Sequence, residues 1–150
     1  ASRDLTPYPG PCLVVDARGG EGAVRLDEVV AAIEACAAPP ARVLLRTFDE
    51  FPLHTWPADF RAVSAELIEE LADRGCRLIG TDAPSIDPET SKTLDAHHAV
   101  HRRDMAILEG LVLDAVAPGA YELIALPLRI ERADASPVRA ILRPLDEGRR

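Results

Sequence analysis

The chain has 150 residues, a hydrophobic content of 47% and a formal net charge of −8 at pH 7. This length and composition suit one domain with a buried core, whereas the acidic charge argues against nucleic acid as a partner, since phosphate binding needs a basic surface. No apolar run approaches the length of about 18 residues that a membrane span needs, and no charged and then apolar leader is seen, so we expect a cytoplasmic protein without membrane contact.

Short apolar runs alternate with helix-like patterns, which predicts an α/β fold with helices packed on a mixed β-sheet. In chain order the predicted elements are a strand at 13–16, a helix at 28–37, a strand at 43–46, a loop at 47–62, a helix between Ser64 and Gly75, a strand at 77–80, a loop at 81–90, a helix at 91–103, and strands at 121–130 and 138–143. The segment 105–116 suits either a strand or a helix. We expect the tail 146–150 to be frayed.

Capping residues set several of these boundaries. Asp27 is the predicted N-cap of the first helix, and the two prolines at 39–40 stop it. Ser64 is the predicted N-cap of the second helix, and Gly75 ends it in the C′ position. The cysteines lie far apart and form no Cys-x-x-Cys pair, so we expect free thiols; they are Cys12, Cys36 and Cys76.

Two loops of the predicted fold hold candidate binding residues. In the first, Trp56 or His54 could cover an aryl substrate, or the loop could simply pack on its own domain. The second loop, 81–90, follows a strand at the sheet edge where ligands gather in α/β folds, so Asp82 and Ser85 are candidate substrate-binding residues. The alternative is that Asp82, like Asp87, only bonds the backbone of a turn.

The segment 97–109 carries the strongest functional signal, because three of the four histidines precede a glutamate set in an apolar run. A buried carboxylate at Glu109 would need a partner such as a metal ion, and imidazole with carboxylate is a ligand mixture for Zn and Mn. One straight helix would separate His97 from Glu109 by about 18 Å, so the chain must turn if the two are to meet. His97 and His101 form an alternative pair at i, i+4 spacing, or else lie on a solvated helix.

Four stretches occur here in the order in which one family has them: LIGTDAPSIDP at 78–88, SKTLDAH at 91–97, AILEGL at 106–111 and YELIALPL at 121–128. The chain resembles the bacterial kynurenine formamidases, or arylformamidases, of the cyclase-like metal-dependent hydrolases. Thr81 and Ala83 depart from the usual Ile-Asp-Thr-Pro-Ser of the family, which leaves the fine specificity of this loop open. The resemblance implies a swivelling β/β/α fold and assigns metal binding to His97 and Glu109.

The same resemblance implies hydrolysis of the formyl amide of N-formylkynurenine, a small-molecule substrate, with two Zn or Mn ions in the complete enzyme. The family opens with a segment His-x-Gly-Thr-His-x-Asp-x-Pro-x-His, which holds its other ligands and its proton-transfer histidine, and these 150 residues contain no such segment. We therefore expect residues 1–150 to form one hydrolase domain that is incomplete at its N-terminus. The catalytic base remains unknown.

Three functional hypotheses stay open at this point. The first is the formamidase, and the second is a hydrolase of another amide or of a cyclic amide such as isatin. The third is a truncated domain that dimerises without catalysis. We expect a homo-oligomer, a dimer or larger, because apolar surface left uncovered favours association.

Overall fold

A six-stranded mixed sheet forms the centre of the protein, whose structure is a computed structural model that describes residues 4–145. The strands are β1 (Pro9–Asp16), β2 (Arg42–Arg46), β3 (Leu78–Thr81), β4 (Ala106–Leu108), β5 (Gly119–Ile124) and β6 (Ile141–Pro144). The helices are α1 (Leu26–Glu34), α2 (Ala65–Asp73) and α3 (Asp95–Arg102). The predicted α/β class with a mixed sheet is therefore confirmed.

The strand order is β4-β3-β2-β1-β5-β6. Strands β1 to β4 run parallel to one another, while β5 is antiparallel to β1 and β6 is antiparallel to β5. Each parallel pair is joined through a helix, as βαβ crossovers require. The carboxyl ends of β2, β3 and β4 consequently lie side by side at one edge of the sheet.

The two faces of the sheet are covered differently. Alternate strand residues such as Val15, Val43 and Ile79 pack with the three helices in one apolar cluster, as the two-residue period of a strand demands. The opposite face carries Val14 and Leu44, and it is covered by side chains from connecting segments rather than by a helix, for example Leu111 and Leu113.

Gly80 of β3 allows the segment after β4 to lie close to the sheet. A Cβ atom at this position would be 2.4 Å from Leu44 Cδ2 and 3.0 Å from Leu111 Cδ1. The Leu111 amide donates to the Thr81 carbonyl at 3.1 Å. The chain after β4 therefore runs directly along the end of β3, which fixes the residues that follow Leu108.

The predicted elements of the first half are all present, but the bounds of β1 and α1 differ from the prediction. Strand β1 begins at Pro9 and not at 13, because its first residues pair with β5. Ser64 caps α2 by accepting from the Leu67 amide, and the backbone of Gly75 has a positive φ of 91° just after the helix, as predicted. The N-cap of α1 is Arg25 and not Asp27, and the helix ends at Glu34 instead of 37. Glu28 accepts from the Arg25 amide at 2.9 Å, which starts the helix earlier.

Later boundaries differ more from the prediction. Helix α3 begins at Asp95 and not at 91, because Leu94 has a left-handed φ of 51° and the Ser91 hydroxyl accepts from the Leu94 amide in a local turn. Strand β4 is short, and the chain after it is irregular up to β5. Strand β5 ends at 124 and not at 130, and β6 begins at 141 and not at 138, because only these residues find a partner strand. The tail 146–150 lies outside the described residues.

The loop predicted at 47–62 is confirmed, since β2 and α2 are joined by a segment that has no helix or strand. Val24 and Val63 form a single bridge at its end. Among residues 4–145, no helix has the length and apolar character needed to cross a membrane.

Candidate metal centre

The edge formed by the carboxyl ends of β2, β3 and β4 collects the candidate residues. The loop at 82–94 follows β3, and Glu109 is the first residue after β4. The amide of Gly110 donates to the Ala83 carbonyl at 2.9 Å, which joins these two segments. Ligands in open α/β sheets bind at this kind of edge.

The structure brings His97 and Glu109 together across 12 residues of chain. Nε2 of His97 lies 3.5 Å from Oε1 of Glu109. The chain turns between them, because α3 ends at Arg102 and β4 then returns Glu109 to the same edge. The predicted convergence of these two side chains is confirmed. His98 and His101 are more exposed than His97, as predicted.

Asp87 fixes the ring of His97. Its Oδ2 atom is 2.6 Å from His97 Nδ1, and the carboxylate also accepts from the backbone amides of Ala96 and His97 at 3.0 Å each. The side chain of Asp87 is 5% exposed. It therefore caps the first turn of α3 from within the loop that precedes this helix and orients the imidazole at the same time.

The pKa of Asp87 reflects this position. Burial raises the pKa, but the hydrogen bonds from the His97 amide, the His97 ring and the Ala96 amide outweigh it, so the pKa lies below its usual value. The carboxylate is therefore ionised at neutral pH and holds the proton of the ring on Nδ1.

Sequence reasoning had not found Asp87 as the partner of His97. Asp95 lies closer to His97 in the chain, but it is an exposed residue of the first turn of α3, and the contact belongs to Asp87. The residue before α3 is Leu94, which has no side-chain acceptor, so the cap comes from a residue further back in the chain.

Glu109 is less buried than its apolar surroundings suggested. Its side chain is 32% exposed, so the expectation of a buried carboxylate is wrong. Strand β4 contributes only three residues before it, and the apolar residues around it face the core while Glu109 faces the sheet edge. Its Oε1 atom accepts from the Ile86 amide at 3.0 Å, which holds the carboxylate toward the loop after β3.

The donor atoms fit a divalent metal ion. Two atoms that bind one tetrahedral ion at about 2.1 Å each lie about 3.4 Å apart, close to the 3.5 Å between His97 Nε2 and Glu109 Oε1. With the proton on Nδ1, Nε2 carries the lone pair that a metal requires. Within residues 4–145, no group of three or more His, Cys, Asp or Glu side chains is arranged to hold a metal.

Asp82 lies at the same edge but faces inward. It is 1% exposed, and its carboxylate accepts from the Thr47 amide at 2.8 Å, the Thr47 hydroxyl at 2.6 Å and the Phe48 amide at 3.0 Å. These bonds tie the end of β3 to the start of the loop after β2. In the structure Asp82 positions backbone, and a direct contact with a substrate stays a prediction.

Replacing Asp82 by alanine is expected to lower the free energy of unfolding by about 3–5 kcal/mol, because the two donors of Thr47 and the partly buried Phe48 amide lose their acceptor. Chemical denaturation followed by circular dichroism measures this change. Asp49→Asn is the matched control, since that side chain is 91% exposed and its ion pair with Arg18 lies at the surface, so a shift of under about 0.5 kcal/mol is expected. Equal small shifts for both variants would contradict the role of Asp82.

Ser85 is half-buried, and its hydroxyl accepts from the Asp87 amide at 3.2 Å. The hydroxyl therefore keeps its own proton available as a donor. A substrate contact of Ser85 stays a prediction. The cysteines are free, as expected, and burial raises the pKa of Cys12 and Cys76 to about 11, so both remain neutral thiols at neutral pH.

The chain matches no protein-family model. It is 57% identical over 145 residues to a kynurenine formamidase from Sphingopyxis alaskensis, a match that covers 97% of this chain and 68% of that protein. A kynurenine formamidase from Maricaulis maris is 57% identical over 146 residues, with the same two coverages. Among solved structures, a potential metal-dependent hydrolase with cyclase activity superposes with a TM-score of 0.79 at 27% identity, over 93% of this chain and 67% of that one.

Proposed function

This chain belongs to the kynurenine formamidase family, and from that membership we propose that it hydrolyses the formyl amide of N-formyl-L-kynurenine to L-kynurenine and formate. The observation that carries the proposal is the meeting of His97 and Glu109 at 3.5 Å. They are the two residues to which the family resemblance assigns metal binding, and they are far apart in the chain. Packing of the core alone does not require these two polar side chains to lie next to each other.

We propose a divalent metal cofactor, Zn²⁺ or Mn²⁺, with two ions in the complete enzyme. His97 Nε2 and the carboxylate of Glu109 would be two of the ligands. When bound, such an ion polarises an amide carbonyl and lowers the pKa of water to about 7, which supplies hydroxide at neutral pH. The likeness to a potential metal-dependent hydrolase supports this cofactor.

The residues of the chain have separate tasks in this proposal. Asp87 keeps the proton of the His97 ring on Nδ1, so that Nε2 stays a free donor. Glu109 brings a negative charge to the site, and the Ile86 amide fixes its direction. Ser85 is proposed to donate a hydrogen bond to the substrate, while Asp82 holds the adjoining loop and contacts the substrate only if that loop opens.

The identity to kynurenine formamidases favours a formamide over a cyclic amide such as isatin as the substrate. The same identity favours an enzyme over a domain that only dimerises. Thr81 is fully buried and its hydroxyl accepts from the Ala83 amide at 3.1 Å. Thr81 and Ala83, which differ from the usual family loop, therefore form a hydrogen bond within the loop. These two differences do not change the proposed substrate.

The experiment compares N-formylkynurenine and isatin as substrates of the protein expressed in its longest reading frame. Turnover of N-formylkynurenine is expected to stop on treatment with a chelator and to return with Zn²⁺ or Mn²⁺. The 150 residues alone are expected to be poor catalysts, because catalytic zinc usually has three protein ligands and this site shows two. A preference for isatin, or activity that is indifferent to chelation, would contradict the proposal.

We also propose that the protein is a homodimer. Every second residue from 124 to 130 is an exposed aliphatic side chain, namely Ile124, Leu126, Leu128 and Ile130. Alternate residues share one side where the chain is extended, and the Ile130 amide donates to the Leu128 carbonyl at 3.0 Å in a turn at the end of this segment. An apolar surface of this kind is typical of an interface. A solution mass near twice 16.2 kDa is expected. Leu128→Asp should restore the monomer mass, and a monomeric wild-type protein would refute the dimer.

A further inference from the structure

Trp56 is the only tryptophan of the chain, and it is exposed yet held in place. The residue is 63% exposed. The indole Nε1 donates to Glu89 Oε1 at 2.9 Å, and the ring meets that of Phe60 edge to face, with centroids 6.4 Å apart and planes at 86°. Phe60 is itself buried, so it anchors the exposed ring. An exposed aromatic surface whose orientation is fixed is suited to binding another ring.

The residues around Trp56 border a cleft of about 330 Å³. Phe60 and Glu89, the two residues that Trp56 contacts, line it, and Asp59 lines it as well. The basic residue of the lining is Arg61, but its guanidinium is occupied by both carboxylate oxygens of Glu28 at 2.8 and 3.0 Å. Trp56 itself does not line the cleft but lies beside it, in contact with Phe60 and Glu89. An exposed indole next to a cleft with acidic side chains suits a ligand that carries an aryl ring and a cation.

This cleft lies next to the candidate metal centre along the chain. Glu89 is two residues beyond Asp87, which holds the His97 ring. Two residues of extended chain span at most about 7 Å. One short loop therefore holds both contacts, since Glu89 accepts from Trp56 and Asp87 contacts the His97 ring.

We propose that Trp56, Phe60 and Glu89 form the subsite that binds the aryl ring and the α-ammonium group of the substrate. The inference rests on the proposed function, whose substrate carries both groups. The ring stacks against the exposed indole, and the ammonium group lies by the Glu89 carboxylate. The subsite selects aryl formamides that bear an amino-acid side chain over those that have no ammonium group.

Fluorescence of the single tryptophan tests this subsite without any need for metal or turnover. L-Kynurenine, the product, keeps both the ring and the ammonium group, and 2-aminoacetophenone keeps the aryl ketone but has no ammonium group. Titration of the metal-free protein with L-kynurenine is expected to quench Trp56 fluorescence in a saturable way, with weaker binding of 2-aminoacetophenone. N-Acetyltryptophanamide at the same ligand concentrations corrects for absorption of light by the ligands.

Variants separate the two parts of the subsite. Glu89→Gln is expected to weaken kynurenine binding about fivefold and to leave 2-aminoacetophenone binding unchanged. Glu50→Gln, in the loop that carries Trp56, is the matched control, since that residue is exposed and does not line the cleft. Calorimetry measures kynurenine binding to variants that lack the tryptophan. Trp56→Phe is expected to retain part of the binding, and Trp56→Ala is expected to lose it. Leu53→Ala is the control for the fold of the loop and is expected to bind kynurenine normally.

The outcomes distinguish this inference from the proposed function. Hydrolysis of N-formylkynurenine without saturable quenching by kynurenine overturns the subsite and leaves the function standing. Saturable binding that depends on Glu89, without any hydrolysis, overturns the function and leaves the subsite. Equal affinity for both ligands, or an effect of Glu50→Gln as large as that of Glu89→Gln, removes the role of the ammonium group.

Discussion

Replacing Glu109 by glutamine is expected to lower turnover of N-formylkynurenine by about 100-fold or more, with a matching loss of bound metal. The amide is a weaker ligand than the carboxylate and removes a negative charge that offsets the cation. The fold should remain, because the side chain is partly exposed and an amide oxygen can still accept from the Ile86 amide. The free energy of unfolding is therefore expected to change by less than about 1 kcal/mol.

Metal content by elemental analysis, turnover and denaturation together check this prediction. Glu131→Gln is the matched control, because it removes the same charge from an exposed residue away from the site. If Glu109→Gln kept both its metal and its turnover, Glu109 would be no more than a surface carboxylate that bonds the Ile86 amide.

The second large effect is expected for Asp87→Asn, which changes metal affinity and stability together. Asparagine cannot accept from the ring and from both amides as the carboxylate does. Loss of a partner that orients a metal-binding histidine costs about 10- to 100-fold in affinity, and loss of the cap on α3 costs about 1–2 kcal/mol of stability.

Asp95→Asn serves as the control for Asp87, since Asp95 is an exposed residue of the same helical turn. Titration with Zn²⁺ or Mn²⁺ measures the affinity and thermal unfolding measures the stability. A variant of Asp87 that lost stability but bound metal normally would show that this carboxylate caps α3 and does not serve the histidine.

The sequence predicted the layer structure because its signals there are local. Ser64 caps the start of α2 and Gly75 follows its end with a positive φ, and both effects depend only on the backbone of neighbouring residues. The convergence of His97 and Glu109 was also predictable, because the family resemblance assigns both residues to metal binding and the ligands of one ion must lie within a few ångströms of each other. These inferences depend on short-range geometry or on the chemistry of two named side chains.

The errors arose where distant residues decide the outcome. Helix α3 was predicted to begin at 91, yet Ser91 forms a local turn with Leu94, and the helix is capped by the carboxylate of Asp87, nine residues before Ala96 in the chain. The alternating pattern at 125–130 is that of a strand, but no strand among residues 4–145 pairs with it. Hydrophobic periodicity indicates which side chains would be buried against a partner strand, but it does not show that such a strand is present.

Strand β4 gives the site a local weakness. It contributes three residues, pairs only with β3 within residues 4–145 and ends immediately before Glu109. Proteins open in parts, and segments with few paired neighbours open at lower free energy than the core. Detachment of β4 would carry Glu109 away from His97 while β1, β2 and β3 stay paired. Heat inactivation can therefore precede global melting, and amide hydrogen exchange should be faster in β4 than in the strands at the centre of the sheet.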